Sequence, residues 1–263
     1  MIMYGIIFIF GLLIGSFLNV CIYRIPLEQS IVSPPSHCPN CETRLKPFDL
    51  IPLFSYLIFR GKCHYCSLKI SPRYFLVELL TGMLSVVLFF KYGLTVDFVA
   101  FLFLTYILIA VFFIDLDHQI IPNELVIAGL VGGASLFVYN LFVRFQIYAD
   151  HLWWNPLLGM VLGSGLLFSV SLIGLALYKG EEVMGMGDVK LFAPIGLFLG
   201  WRMTLLALFI SVVLGGMSSL LLMLLGKANR KSMIPFGPFI VTAVFITIMW
   251  GWDILRWYLS TYM

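Results

Sequence analysis

The chain has 263 residues, of which 61% are hydrophobic and only 11% are charged, and its mean hydropathy is +1.03. This composition excludes a water-soluble domain, whose surface would need many more polar side chains. The net charge of +3 is small, and the basic residues stand between apolar segments, where membrane topology accounts for them, so no nucleic-acid partner is indicated. The sequence predicts a protein embedded in a lipid bilayer.

The first apolar segment, residues 1–23, lacks the basic start and the small-residue cleavage site of a signal peptide, so we expect a retained first transmembrane helix. The other apolar segments are residues 74–92, 96–116, 121–143, 156–178, 188–200, 203–225 and 236–258. None shows strand-like alternation, and lipid requires paired backbone groups, so they predict an all-α bundle of about eight transmembrane helices. Glycines four residues apart, Gly159 with Gly163 and Gly196 with Gly200, indicate close helix packing.

Residues 24–73 form a polar loop that contains two C-x-x-C pairs, Cys38 with Cys41 and Cys63 with Cys66, with 21 residues between the pairs. Each pair can direct two thiolates at one ion, and two pairs complete the tetrahedral shell of a structural zinc site. Two disulfides are the alternative, which a reducing cytoplasm disfavours. The loop has little core to bury, so we expect bound zinc to supply much of its folding free energy.

Three residues near this site are given no ligand role. His37 and His64 flank the cysteine pairs, but four thiolates already fill the shell of a zinc ion. Cys21 lies within the first apolar segment and is interpreted as a small buried apolar residue.

The lysines and arginines predict the orientation of the helices. If residues 24–73 are cytoplasmic, twelve of the 16 basic residues lie on the cytoplasmic side and four lie outside. The cytoplasmic set is Arg24, Arg44, Lys46, Arg60, Lys62, Lys69, Arg73, Lys179, Lys190, Lys227, Arg230 and Lys231. The outer set is Lys91, Arg144, Arg202 and Arg256. By the positive-inside rule, both termini are predicted outside and the cysteine loop inside.

Two acidic motifs lie at predicted helix ends. Asp115 and Asp117 end the third segment, and Asp188 follows Gly185 and Gly187 at the start of the sixth. The orientation places both motifs on the cytoplasmic side, although it was assigned without reference to the acids. Two carboxyl groups that share a proton can activate water and protonate a leaving amine, as in aspartic proteases. The glycines would let an extended substrate backbone approach Asp188.

Helix capping is the alternative role for these polar residues, because Asp188 and Asn123 both stand near helix starts. Glu78, inside the second segment, is either a buried polar contact or part of a site. A solvated or ion-pairing role is expected for the other nearby acids, which are Asp117, Glu124, Glu181 and Glu182.

Five motifs in one order carry a family resemblance across nearly the whole chain. They are GSFLNVCIYRIP at 15–26, the two cysteine pairs, DLIPLFSY at 49–56, ISPRYFLVE at 70–78 and the two aspartate motifs. This combination closely resembles the prepilin peptidases of bacterial type IV pilus, type II secretion and competence systems.

The resemblance implies a catalytic pair. In that family one aspartate lies seven residues before the proline of an Ile-Pro-Asn motif, and the other is the aspartate of Gly-x-Gly-Asp. These positions are Asp115 and Asp188 here, whereas Asp117 lies only five residues before Pro122. The peptidase domain would then be residues 74–263, following the first helix and the zinc-binding loop at 24–73.

The resemblance also implies the substrates and a second activity. The substrates are prepilins or pseudopilins with a short basic leader, cut at the cytoplasmic face of the bacterial inner membrane. Members with the cysteine loop typically also methylate the new N-terminal residue with S-adenosylmethionine. No glycine-rich nucleotide-binding fingerprint appears, so methylation rests on the resemblance alone and no residue is assigned to the methyl donor.

Three other functions remain open at this point. One is a peptidase without methyltransferase activity. The second is a non-enzymatic membrane scaffold whose zinc loop docks a cytoplasmic partner. The third is a proton-coupled transporter, which would require polar groups near the bilayer midplane, whereas these acids lie at one edge. The oligomeric state is not indicated by the sequence.

Overall fold

A computed structural model of the chain describes residues 1–143, 145–148, 152–177, 185–227 and 234–262. Some residues used above lie outside these ranges, namely Arg144, Lys179, Glu181, Glu182, Arg230 and Lys231. The chain divides into two compact units, Met1–Phe98 and Val99–Met263.

The described ranges contain eight α-helices and no β-sheet. The helices are α1 (Ile2–Arg24), α2 (Phe54–Ile58), α3 (Pro72–Tyr92), α4 (Val96–His118), α5 (Asn123–Phe142), α6 (Asn155–Leu177), α7 (Met186–Leu224) and α8 (Gly237–Tyr262). Seven of them, all except the short α2, are long and apolar enough to cross a membrane. The predicted all-α, multi-pass membrane architecture is therefore confirmed.

In the first unit, α1 packs closely against α3. A Cβ atom added to Gly15 would lie 2.8 Å from the Cα of Glu78, so the small residue sets the distance between the two helices. At the end of this contact, the side-chain amide of Asn19 donates a hydrogen bond to the carbonyl of Tyr74 at 3.0 Å. These contacts fix the start of α3, and the cysteine loop joins α3 at that point.

In the second unit, α7 is interrupted at Gly200, whose φ of 71° and ψ of 171° are not helical. Such a break leaves backbone groups without helical partners. The Tyr148 hydroxyl donates to the carbonyl of Leu197, and the N–H of Trp201 donates to Asn155 Oδ1 at 3.0 Å. The segments 188–200 and 203–225, which the sequence counted as two of about eight spans, are parts of one helix with a break at Gly200.

The glycines of α6 and α7 bring these two helices into backbone contact. A Cβ atom added to Gly196 would lie 2.3 Å from both the carbonyl carbon of Gly159 and the N atom of Met160. Backbone atoms cannot move aside as a flexible side chain can. The four-residue glycine spacing in each segment indicated close helix packing. The contact between Gly159 and Gly196 shows that packing between α6 and α7.

We expect Gly196→Ala to destabilise the protein by about 1–3 kcal/mol, because overpacking a tight contact has a cost of this size. Gly216→Ala, on the same helix, is the matched control, since a Cβ atom there meets nothing within 4 Å. Thermal unfolding of both variants in detergent, followed by size-exclusion chromatography, provides the measurement. Equal unfolding temperatures would contradict the backbone contact between α6 and α7.

Candidate active site and metal site

Asp115 lies near the end of α4 and is only 5% exposed. Its Oδ2 accepts a hydrogen bond from the backbone N–H of Gly237 at 2.9 Å. Gly237 is the first residue of α8, where N–H groups have no partner within the helix and suit an acidic side chain. A Cβ atom at Gly237 would stand 2.6 Å from that oxygen, so this approach requires glycine.

Asp188 is the third residue of α7 and is 8% exposed. The helix is capped at Gly185 without a side-chain hydrogen bond, and α5 likewise starts without a side-chain cap. Asp188 is the acidic residue in the first turn of α7, where the helix dipole favours a negative charge. Asn123, the other capping candidate, instead accepts a hydrogen bond from the Lys190 ammonium at 3.2 Å.

Both aspartates line one cavity of about 300 Å³. The other lining residues are Gln119, Ile120, Ile121, Asn123, Gly185, Met186, Gly187 and Lys190. Two buried carboxyl groups, brought from α4 and α7 to one polar cavity, are a pair that can share a proton and act on a bound water.

The two glycines before Asp188 have different surroundings. Among the described residues, a Cβ atom at Gly185 would meet only Asp188 Oδ2, at 3.5 Å, whereas one at Gly187 would lie 3.0 Å from the Cβ of Ile121. Gly185 therefore leaves the cavity wall open, as expected for a residue that a substrate backbone approaches. Gly187 also lets the start of α7 pack against the α4–α5 connection.

Asp117 differs from Asp115 in its surroundings, since it is exposed and does not line the cavity. Sequence reasoning did not find the contribution of Gly237, which lies 122 residues after Asp115. No local pattern connects positions so far apart. Lys190 and Asn123 lie within the motifs already singled out, but their mutual contact depends on how α5 and α7 are arranged.

The four loop cysteines converge on one point. The sulfur atoms of Cys38, Cys41, Cys63 and Cys66 all lie within 4.8 Å of one another, and the Cys38 and Cys66 sulfurs are 3.8 Å apart. Tetrahedral coordination at a metal–sulfur distance of roughly 2.3 Å requires sulfur atoms about 3.8 Å apart. All the cysteines are free thiols, so the arrangement fits one metal ion and not two disulfides.

The two cysteine pairs have the same local structure. In each, an antiparallel bridge joins the residue before the first cysteine to the residue three positions after the second. Hydrogen bonds from the Leu68 N–H and the Asn40 amide lower the pKa of Cys66 to about 6, and those from Thr43 lower the pKa of Cys41. Burial acts in the opposite direction on Cys63 and raises its pKa to about 11, so a bound cation would have to displace that proton.

The histidines beside the cysteines do not join the cluster. His64 Nδ1 lies 3.1 Å from Asp49 Oδ1, and the Tyr65 hydroxyl donates to Asp49 Oδ2 at 2.8 Å. Burial alone would raise the pKa of Asp49, but hydrogen bonds from the Lys46 N–H, Tyr65 and His64 hold it below its usual value. His37 lies 3.1 Å from the Pro35 carbonyl.

Glu78, which the sequence left between two roles, makes a buried polar contact. Its Oε2 accepts a hydrogen bond from the N–H of Leu53 at 2.9 Å, and its carboxyl also bonds to the Ser16 side chain. Leu53 has a φ of 60°, which a residue with a side chain rarely adopts. Glu78 thus fixes a strained turn of the cysteine loop.

Comparisons with known proteins agree with the motifs. Residues 9–92 match the family model for the bacterial peptidase A24 N-terminal domain, and residues 102–220 match that of the type IV leader peptidase family. The chain is 35% identical to a prepilin leader peptidase/N-methyltransferase of Aeromonas hydrophila, with 99% of this chain and 95% of that protein aligned.

Two further relatives carry the same name. The protein of Pseudomonas aeruginosa is 36% identical over 95% of this chain and 91% of its own length. That of Myxococcus xanthus is 38% identical over 86% of this chain and 65% of its own length. No solved structure matches the chain.

We expect the purified protein to hold one metal ion per chain and Cys66→Ser to lose most of it, since a missing thiolate opens the four-sulfur shell. Cys21→Ser is the matched control, because Cys21 is buried in α1 and does not belong to the cluster. Elemental analysis by mass spectrometry after gel filtration identifies and counts the metal. Equal metal content in the two variants would contradict the site.

Proposed function

The chain belongs to the type IV leader peptidase family, and we propose that it is a membrane-embedded aspartic endopeptidase that removes the leader peptides of type IV prepilins and pseudopilins. The observation that carries this proposal is the pair Asp115 and Asp188, buried on two spanning helices and lining the same polar cavity. Asp117 is the exposed neighbour, and we give it no part in the chemistry.

The proposed reaction needs one ionised and one protonated aspartate, a state that two adjacent carboxyl groups favour because both cannot easily ionise. The ionised carboxylate takes a proton from a water molecule, whose oxygen forms a bond to the carbonyl carbon of the scissile peptide. The protonated carboxyl then donates its proton to the departing amine as the C–N bond breaks. The Gly237 N–H keeps the Asp115 carboxyl in one orientation throughout.

We place the cavity at the cytoplasmic face of the bacterial inner membrane. The positive-inside distribution of the basic residues supports this orientation, with both termini outside and the loop at 24–73 inside. The cavity lies where α4 ends and α7 begins, so it stands at an edge of the membrane. A basic leader could therefore remain in water while the apolar helix that follows it stays in lipid. In this assignment residues 74–263 form the peptidase domain.

We propose zinc as the metal of the four-cysteine cluster, with a structural role in the loop. Four thiolates in a closed tetrahedral shell are typical of structural zinc, because a catalytic zinc keeps one position for water. The 3.8 Å separation of the Cys38 and Cys66 sulfurs supports this choice. Cys38, Cys41, Cys63 and Cys66 would hold the ion.

We further propose that the chain methylates the new N-terminal amine, as the names of its relatives indicate for those proteins. S-adenosylmethionine would supply the methyl group. The chain has no glycine-rich fingerprint for such a cofactor, so we assign it no residues and derive no step through it.

Replacing either catalytic aspartate tests the peptidase. We expect Asp115→Asn and Asp188→Asn each to lower the rate of leader removal by at least roughly 100-fold, the scale of a lost general acid or base. Asp117→Asn is the matched control and should cleave normally, because its side chain lies outside the cavity. The measurement is mass spectrometry of a prepilin co-expressed in membranes, with each variant at a matched level of inserted protein.

The same spectra address methylation, since a methylated product is heavier by one CH₂ group. Cleavage without the added mass identifies a peptidase that does not methylate. If Asp115→Asn and Asp188→Asn both insert in the membrane and both still cleave, the aspartic mechanism is wrong.

Changing the residue that orients Asp115 provides a finer test. We expect Gly237→Ala to reduce cleavage by roughly 10- to 100-fold, because the new Cβ atom would displace the carboxyl and small misplacements of catalytic groups have effects of this size. Gly216→Ala serves as the control for added bulk, since its site is open. Normal cleavage by Gly237→Ala would show that the hydrogen bond from the Gly237 N–H to Asp115 is not needed for catalysis.

A further inference from the structure

The cysteine loop contains an apolar run that neither the peptidase nor the metal site explains. Residues 50–59 read LIPLFSYLIF and stand between Asp49 and Arg60. A run of this length is too short to span a bilayer, and segments of about 10–14 apolar residues are often interfacial or re-entrant. In the structure the run forms the end of a short 3₁₀ helix, a turn and α2.

Two contacts tie this run to the first turns of a membrane-spanning helix. The N–H of Leu53 donates to Glu78 Oε2 at 2.9 Å, and Glu78 lies about 9 Å along α3 from its start at Pro72, at 1.5 Å per residue. The ring of Tyr56 packs on that of Phe75, with centroids 5.5 Å apart. The apolar span of α3 begins at Pro72, so we expect the membrane boundary near these residues and the run at its level.

The outer face of α2 is apolar. Phe54, Leu57 and Ile58 are spaced as neighbours on one side of a helix, and they are 63%, 62% and 55% exposed. Tyr56 occupies the side that packs on α3. A short helix in water normally turns its apolar side chains inward. On α2 the side chains that face outward are the apolar ones, which favour lipid.

The backbone of the run is suited to a site with little water. The N–H groups of Ser55, Leu57 and Phe59 donate to main-chain carbonyls at 3.0 to 3.1 Å, and that of Leu53 is taken by Glu78. Lipid tolerates non-spanning backbone only where its polar groups are paired.

The charges beside the run also fit a membrane surface. Arg60, Lys62 and Lys69 follow it in the loop and are all exposed, and such residues are attracted to anionic headgroups.

The run is connected to the metal site at both ends. Asp49 bonds to His64, and the ring of Phe59 stacks on that of His64 at 4.4 Å.

We propose that residues 50–59 form an interfacial membrane anchor, seated at the boundary between headgroups and acyl chains, which holds the four-cysteine cluster against the membrane surface. The loop at 24–73 is then not wholly aqueous, and the cluster has a fixed height above the lipid. This inference goes beyond the proposed function and does not depend on the peptidase reaction.

The test uses the full chain with its metal in nanodiscs that contain anionic lipid. Trifluoromethylphenylalanine replaces Phe54 in one sample and, as the matched control, Val32, which is 85% exposed in the same loop. Fluorine NMR then measures signal broadening by a lipid with a nitroxide near the top of its acyl chain, and separately by a gadolinium chelate in the water.

We expect the Phe54 label to broaden strongly with the nitroxide lipid and weakly with gadolinium, and the Val32 label to show the reverse. A second label at Leu57 gives an independent reading on the same face, and metal content confirms that each labelled protein is folded. If the Phe54 and Leu57 labels broaden with gadolinium as Val32 does, the face lies in water and the proposal is wrong. If neither reagent affects them, a protein surface covers the face, which also overturns it.

Discussion

The absence of water from the bilayer core is the constraint on which the rest of this structure depends, because every backbone polar group there must find a partner in the protein. Several hydroxyl groups inside the helices meet this need locally, whereas those of Thr105 and Ser164 have no partner among the described residues. Thr81, Thr204 and Thr247 each donate to the carbonyl four residues earlier in their own helix. Where the chain leaves helical geometry at Gly200, Asn155 and Tyr148 provide the partners that the helix cannot.

The same constraint gives meaning to the few acidic residues within the spanning helices. A buried carboxyl has to be paired or be part of a functional site. Glu78 is paired, since it accepts from the backbone of the loop. Asp115 has one backbone donor but also shares a polar cavity with Asp188. That difference separates an acid that supports the fold from a pair that can perform chemistry.

Much of this could be predicted from the sequence, because the decisive signals are local. Hydropathy located the spanning helices. The C-x-x-C spacing predicted that four thiols meet, because each cysteine pair forms its own small hairpin. The family resemblance, through the motif spacing that it implies, favoured Asp115 over Asp117, and the structure places only Asp115 in the cavity with Asp188.

Contacts between distant segments could not be predicted in this way. The N–H of Gly237 reaches Asp115 only through the packing of α8, and no pattern in either segment encodes it. The attachment of the cysteine loop to α3 was also missed. Counting residues 24–73 as polar concealed the apolar run at 50–59, and its position became evident only through the bond from Leu53 to Glu78.

The hydrogen bond between Gly237 and Asp115 has a consequence for biogenesis. Gly237 begins α8, which follows both aspartates in the chain, so it leaves the ribosome after them. A partly synthesised chain can already contain both aspartates, yet the donor that orients Asp115 is still missing. The site is completed only when α8 is in place, so full activity depends on the insertion of α8 beside α4.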